Sequence, residues 1–166
     1  LDEYLDMVRL KTGALIRCSL EVGALMATDK PSDIAAFSRY GSHLGRLFQI
    51  RDDILGIWGV QKETGKSSGN DIRRRKKSFP IVFALERSSL ANRNRLMDLY
   101  GKESLIESNV EEVLDLLEKS GARKQAHKII SQEARLALEQ LDGIPLSTAI
   151  RRDARELLDF LVIRNF

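Results

Sequence analysis

Two adjacent aspartates, Asp52 and Asp53, lie inside an apolar stretch, with Leu47-Phe48-Gln49-Ile50 before them and Ile54-Leu55 after. A carboxylate in such surroundings is costly to bury alone. A hard cation such as Mg²⁺, which takes oxygen ligands and retains waters, would offset that cost. Neighbours on a helix point about 100° apart, so the two side chains do not make one flat clamp. Asp53 shares a face with Gln49, and Asp52 shares one with Gly45, Phe48 and Gly56. An arbitrary Asp-Asp beside an arginine such as Arg51 is more often a solvated pair, because charges are mostly exposed. The apolar context is what shifts the balance.

Complementary charge follows downstream. Lys66 comes after Gly65, and Asp71-Ile72 leads into Arg73-Arg74-Arg75-Lys76-Lys77 and then Ser78-Phe79-Pro80. Lysines reaching over a carboxylate-bound metal ion would form a diphosphate pocket, the metal bridging oxygens and the ammonium groups neutralising the remainder. Lys11-Thr12-Gly13, far upstream, could add another cation and a hydroxyl. Each lysine taken singly reads as a surface residue. Only the combination carries chemistry.

These residues need a scaffold of helices. The chain of 166 residues has only three prolines and eleven glycines, and helical periodicity without any useful strand-like alternation. Residues 3–28 read as one long helix through Tyr4, Leu5, Val8, Ala14, Leu15, Cys18, Val22, Leu25 and Met26. The segment Asp29-Lys30-Pro31-Ser32-Asp33 is a break with cap chemistry. A second helix from about Asp33 to Trp58 spans roughly 39 Å. Gly41, Gly45 and Gly56 inside it suggest close packing or room for a ligand. Residues 59–78 read as a polar, glycine-rich loop of a length that is uncommon without function. Helices are expected again over 80–88, 92–100, 108–120, 122–141 and 147–163. The fold class is all-α, a helix bundle.

The set Lys11-Thr12-Gly13, Phe48-Gln49-Ile50-Arg51-Asp52-Asp53, Thr64-Gly65-Lys66, Asp71-Ile72 to Lys76 and Pro80 closely resembles the carboxy-terminal half of trans-isoprenyl (polyprenyl) diphosphate synthases. Order and spacing match that family's K-T-G, F-Q-x-x-D-D, G-K and D-x-x-x-x-K elements, and Leu161-Val162-Ile163-Arg164 is similar to its ending. The resemblance covers essentially all of residues 1–166. It implies the carboxy-terminal part of a single isoprenoid-synthase helical domain. The implied reaction is a Mg²⁺-dependent condensation of an allylic diphosphate with isopentenyl diphosphate, releasing pyrophosphate. Electrostatic stabilisation of the departing diphosphate is the main catalytic effect expected. Carried over by residue, Asp52 would bind a metal ion and Asp53 would support it through water or a lysine. Lys11, Lys66 and Lys76 would contact the allylic diphosphate. Thr12 and Gln49 would present oxygens to the developing cation, and Phe48 would border the isopentenyl site. A homodimer is implied as well.

Two features depart from the family pattern. Its usual D-D-x-x-D ends here in Gly56, and Arg75 stands where glycine is common before Lys76. The first aspartate-rich motif of such enzymes also has no counterpart between Leu1 and Lys30, where Asp2-Glu3 and Asp6 lack the spacing. The expectation is a bundle missing its amino-terminal helices, with Leu1 internal to a longer enzyme or a second polypeptide supplying the rest. The competing function is a non-catalytic, synthase-like subunit of a heteromeric enzyme. A class I terpene cyclase fits less well, because Asp52-Asp53 with Lys66 resembles a synthase.

Composition narrows the remaining classes. An apolar fraction of 43% and a charged fraction of 31% are those of a globular chain. No apolar run approaches a membrane span. A net charge of +3, and a basic run without interleaved aromatics, argue against nucleic-acid binding. The single cysteine, Cys18, cannot form an internal disulfide and fits a reducing, cytoplasmic setting. His43 and His127 read as partly exposed helix residues and Trp58 as packing.

Overall fold

The computed structural model describes residues 1–59 and 69–163. Among these every regular element is a helix: α1 (Asp2–Val8), a π-helical segment (Arg9–Gly13), α2 (Ala14–Ala27), α3 (Pro31–Trp58), α4 (Asn70–Arg73), α5 (Phe79–Arg87), α6 (Leu90–Gly101), α7 (Glu107–Ser120), α8 (Ala122–Gln140) and α9 (Thr148–Ile163). The boundaries follow cap chemistry. Pro31 opens α3 and Pro80 lies in the first turn of α5, positions where a missing N–H costs nothing. Ser89 caps α6 by accepting from the Asn92 amide at 3.4 Å. Gly121, at φ +73°, ends α7 and returns its amide to Leu117 and Glu118, a left-handed close that suits glycine. Of the stretch 59–78 expected to be loop, residues 60–68 lie outside the described residues, and the described part contains one helical turn, α4.

The first helix differs from expectation in one respect. It is not a continuous α-helix, because Arg9–Gly13 is π-helical. Tyr4 and Val8 are buried, and the next buried residue is Gly13, five positions on, followed by Ala24. A straight α-helix in phase with Val8 would bury Leu15, Val22 and Met26. These are 71%, 51% and 86% exposed, because the wide turn takes up one extra residue and rotates everything after it.

Contacts divide the chain into two compact units, with α3 contributing to both. One is Asp52–His127; the other is Asp2–Arg51 with the described residues from Lys128 onward. In the first, Ile57, Ile72, Ile81, Leu96, Leu99, Val113 and Leu117 form the core. There α5 packs on α6 and α7, and α4 packs on α7. Trp58 is a packing residue as expected, with the Arg123 guanidinium 5.4 Å from its ring centre, a favourable cation–π placement.

In the second unit Tyr40, Leu44, Leu47 and Ile50 of α3 are buried, as are Ile130 and Leu141 near α8 and Leu158 and Leu161 of α9. The Tyr40 hydroxyl donates to the Ala154 carbonyl at 2.9 Å. Glu133 receives Arg46 Nε at 3.0 Å and lies 2.7 Å from His43 Nδ1, so His43 is half-buried in an ion-pair network. Two of the three glycines in α3 serve close packing here. A Cβ on Gly41 would lie 2.8 Å from the Arg17 Cα, and one on Gly45 would lie 2.6 Å from the Gly13 Cα. Backbone meets backbone at these points.

Candidate functional site

In the unit Asp52–His127, the late turns of α3 deliver Asp52 and Asp53 in different directions, as helical geometry requires. Asp53 is fully buried, whereas the Asp52 side chain is half exposed. The Phe79 amide, at the free N-terminus of α5, donates to Asp53 Oδ2 at 2.7 Å. This pairing satisfies a helix-end donor and places a carboxylate at the positive end of the helix dipole.

The other oxygen of Asp53 meets Lys76. The Lys76 ammonium lies 2.9 Å from Asp53 Oδ1, 3.0 Å from Asp71 Oδ2 and 3.5 Å from Asp52 Oδ2. One cation is therefore held by three carboxylates. Burial works against the charged lysine, but the Asp53 charge and the hydrogen bonds the ammonium donates to Asp53 and Asp71 outweigh it. Lys76 is held well above the ordinary lysine range. Its position is fixed by the turn after α4, where the Lys76 amide donates to the Asp71 carbonyl at 2.9 Å. Arg75, just before it, has φ +51°, left-handed backbone that favours glycine. Its guanidinium donates to the Lys102 carbonyl.

Asp71, read from the sequence only as the opening of the D-x-x-x-x-K element, joins the cluster. Its signal was present in Gly56, four residues after Asp52. A Cβ at position 56 would lie 2.2 Å from Asp71 Oδ2. A third carboxylate thus reaches the cluster from α4 through the space that Gly56 leaves open. Tyr100 lies close enough to feel it: burial first, and then the Asp71 charge, push the Tyr100 hydroxyl well above the ordinary tyrosine range.

Thr12, Gln49, Lys11 and Phe48 belong to the other unit. The Thr12 hydroxyl donates to Gln49 Oε1 at 2.7 Å, so the structure brings these two together. Lys11 is exposed in the π-helical segment and Phe48 is partly buried on α3. Such wide turns recur at functional sites because they break the regular backbone ladder locally. Lys66 lies outside the described residues.

The donor set suits a hard divalent cation, since Asp52, Asp53 and Asp71 offer only carboxylate oxygen. Among the described residues no group of three or more His, Cys, Asp or Glu side chains stands ready to hold a metal ion. In the Asp52–Asp53–Asp71 cluster the Lys76 ammonium is the bound cation.

A family model described as Polyprenyl synthetase matches residues 1–117. The chain belongs to the polyprenyl synthetase family. A short chain isoprenyl diphosphate synthase of Methanothermobacter thermautotrophicus is 36% identical over 168 residues, covering 99% of this chain and 50% of that protein. The geranylgeranyl pyrophosphate synthetase structure from Pyrococcus horikoshii Ot3 matches with a TM-score of 0.89 and 37% identity, over 98% of this chain and 49% of that one. A geranylgeranyl pyrophosphate synthase from Corynebacterium glutamicum, complexed with isoprenyl diphosphate and magnesium, matches with a TM-score of 0.88 and 30% identity over 97% of this chain and 46% of that one. This polyprenyl synthetase chain spans about half the length of the relatives it matches, and its neighbours share the all-helical fold. No helix among its described residues is long and apolar enough to cross a membrane.

Proposed function

We propose that this chain carries the second metal–diphosphate half-site of a prenyltransferase that condenses an allylic diphosphate with isopentenyl diphosphate and releases pyrophosphate. The observation that carries the reading is the Lys76 ammonium held among Asp52, Asp53 and Asp71. A cluster of acid oxygens with a lysine in reach is what a diphosphate bound through a divalent metal requires. Asp52 and Asp53 are the metal-holding residues, joined by Asp71. A bound Mg²⁺ supplies Lewis-acid stabilisation of the departing diphosphate.

The chain's own residues do the rest. Lys76, with Lys11 and Lys66, neutralises the diphosphate oxygens as the allylic carbon–oxygen bond breaks. Thr12 and Gln49, joined by their hydrogen bond, present oxygen dipoles to the allylic cation. Phe48 borders the isopentenyl group, whose double bond attacks that cation. A proton then leaves with the released pyrophosphate.

The exposed apolar residues Leu15, Val22, Leu25 and Met26 of α2 form the kind of surface that another helix covers. We assign it to a homodimer contact or to the amino-terminal half of the enzyme. The exposed Cys18 suits a reducing cytoplasm. The alternative is a non-catalytic, synthase-like subunit, which would keep the buried Asp53 for its bond to the Phe79 amide but would not transfer a prenyl group.

The test is transfer of radiolabel from isopentenyl diphosphate into an acid-labile, extractable product by the protein that carries this chain, with an allylic diphosphate and Mg²⁺. Incorporation that stops with EDTA and falls by about a hundredfold or more in Asp53→Asn supports the reading. Full incorporation by Asp53→Asn defeats it, and none by the unaltered protein favours the subunit.

A further inference from the structure

Resting on that reading, we propose that Arg74, Arg75 and Lys77 form an electrostatic collar that draws diphosphate substrates from solution and speeds their arrival at Lys76 without taking part in the chemistry.

Residues 73–77 are all cationic, Arg73-Arg74-Arg75-Lys76-Lys77, and the structure sorts them into two groups. Two have a carboxylate partner. Arg73 lies 2.6 Å from Glu107 Oε2, and Lys76 is held by the carboxylates around it. The other three are exposed. Arg75 donates to the Lys102 carbonyl, an uncharged group that leaves its cation uncompensated. Arg74 and Lys77 make no ion pair with any described residue. Like charges crowded into one turn repel one another. The fold gains nothing from that repulsion, whereas an incoming polyanion relieves it.

Distance decides what these charges do. Consecutive Cα atoms are about 3.8 Å apart, so the backbone of all three lies within about 8 Å of Lys76. That is inside the screening length of about 10 Å at 0.1 M salt. Steering acts through solvent and needs no fixed contact, so flexible exposed side chains suffice. A diphosphate carries several negative charges and feels each cation more strongly than a less charged prenyl compound does. The collar therefore selects for diphosphates at the encounter, before any contact with the site.

The test is the association rate of an anthraniloyl-labelled allylic diphosphate analogue. It is followed by stopped-flow fluorescence with the protein that carries this chain, at about 0.1 M and about 1 M salt. Arg74→Gln combined with Lys77→Gln is expected to slow association about fivefold or more at the lower salt. At the higher salt, where the screening length is about 3 Å, the loss is expected to shrink below about 1.5-fold. The effect belongs to association, so turnover at saturating substrate is expected to change less than about twofold. Arg74→Lys combined with Lys77→Arg keeps both charges and is expected to keep the rate, which a bidentate contact would not allow. Arg87→Gln removes a charge at the far end of α5, about 12 Å of helix from Phe79, and is expected to stay within about 1.5-fold. Unchanged association in the double glutamine variant overturns the proposal. So does a loss that persists at about 1 M salt, or an equal loss in the charge-keeping swap or in Arg87→Gln. Each of these leaves the prenyltransferase reading standing if label from isopentenyl diphosphate is still incorporated. No association of the analogue with the unaltered protein, together with no incorporation, overturns both.

Discussion

The carboxylate of Asp71 fills the space that a side chain on Gly56 would need, a Cβ there falling 2.2 Å from Asp71 Oδ2. An exposed helical glycine replaced by alanine ordinarily gains roughly 1 kcal/mol of stability. Here Asp71 is tied to Lys76 through both backbone and side chain, so it cannot turn aside freely. Overpacking of this kind costs on the order of 1–3 kcal/mol. Gly56→Ala is therefore expected to be destabilising in denaturant unfolding. A gain in stability would show that Asp71 is not held against α3. Gly56→Asp, which restores the more usual family residue, is expected to be worse than alanine, because it adds a like charge beside Asp71.

Gly45 presents a harder case, since its obstacle is the Gly13 backbone at 2.6 Å and no rotamer change can relieve it. Gly45→Ala should cost about 2–3 kcal/mol, at the upper end of the overpacking range. It should also disturb the Thr12–Gln49 hydrogen bond one turn along. Thermal unfolding checks the first effect, and prenyl transfer by the protein that carries the chain checks the second.

Arg75 holds φ +51°, a conformation costing a branched or long residue about 1–2 kcal/mol. Its exposed hydrogen bond to the Lys102 carbonyl returns only part of that. Arg75→Gly is expected to stabilise the chain by about 0.5–1 kcal/mol in urea unfolding. A loss of stability would mean that the contact with Lys102 outweighs the backbone strain.

Glu133 sets a pH dependence. Burial works to raise its pKa, but hydrogen bonds from His43 and Arg46, and their charge, outweigh it and hold the carboxyl below the ordinary glutamate range. A depressed folded pKa contributes stability above the unfolded value, and that contribution disappears as pH falls through the folded one. Melting temperature should therefore drop as pH falls through and below the ordinary glutamate range, and Glu133→Gln should flatten that acid limb. An identical acid limb in the variant would remove Glu133 from the account.

Much of this was legible in the residues themselves. The boundaries of α3 and α5 through α9 follow from proline, serine and glycine at their ends, which act locally and need no tertiary information. Asp52, Asp53 and Lys76 were each picked out by type and spacing, and the structure places them together. Asp71 was read as part of a motif but given no partner. Its role depends on Gly56, and an empty side-chain position shows only that something approaches, not what does. The π-helical segment was missed for another reason. Periodicity reading assumes one turn length throughout, and Leu15, Val22 and Met26 fit that assumption well enough to hide the wider turn.

That wide turn marks the stretch from Arg9 to Gly13 as the place where the helix carries one residue more than an α-helix needs. Deleting one residue there would put Val8 and Gly13 four positions apart and close the wide turn to an ordinary one, with α2 keeping its present phase. The close approach of Gly45 to the Gly13 backbone would survive the change. Loss of a single residue should therefore leave the chain able to fold and be felt at the Thr12–Gln49 hydrogen bond.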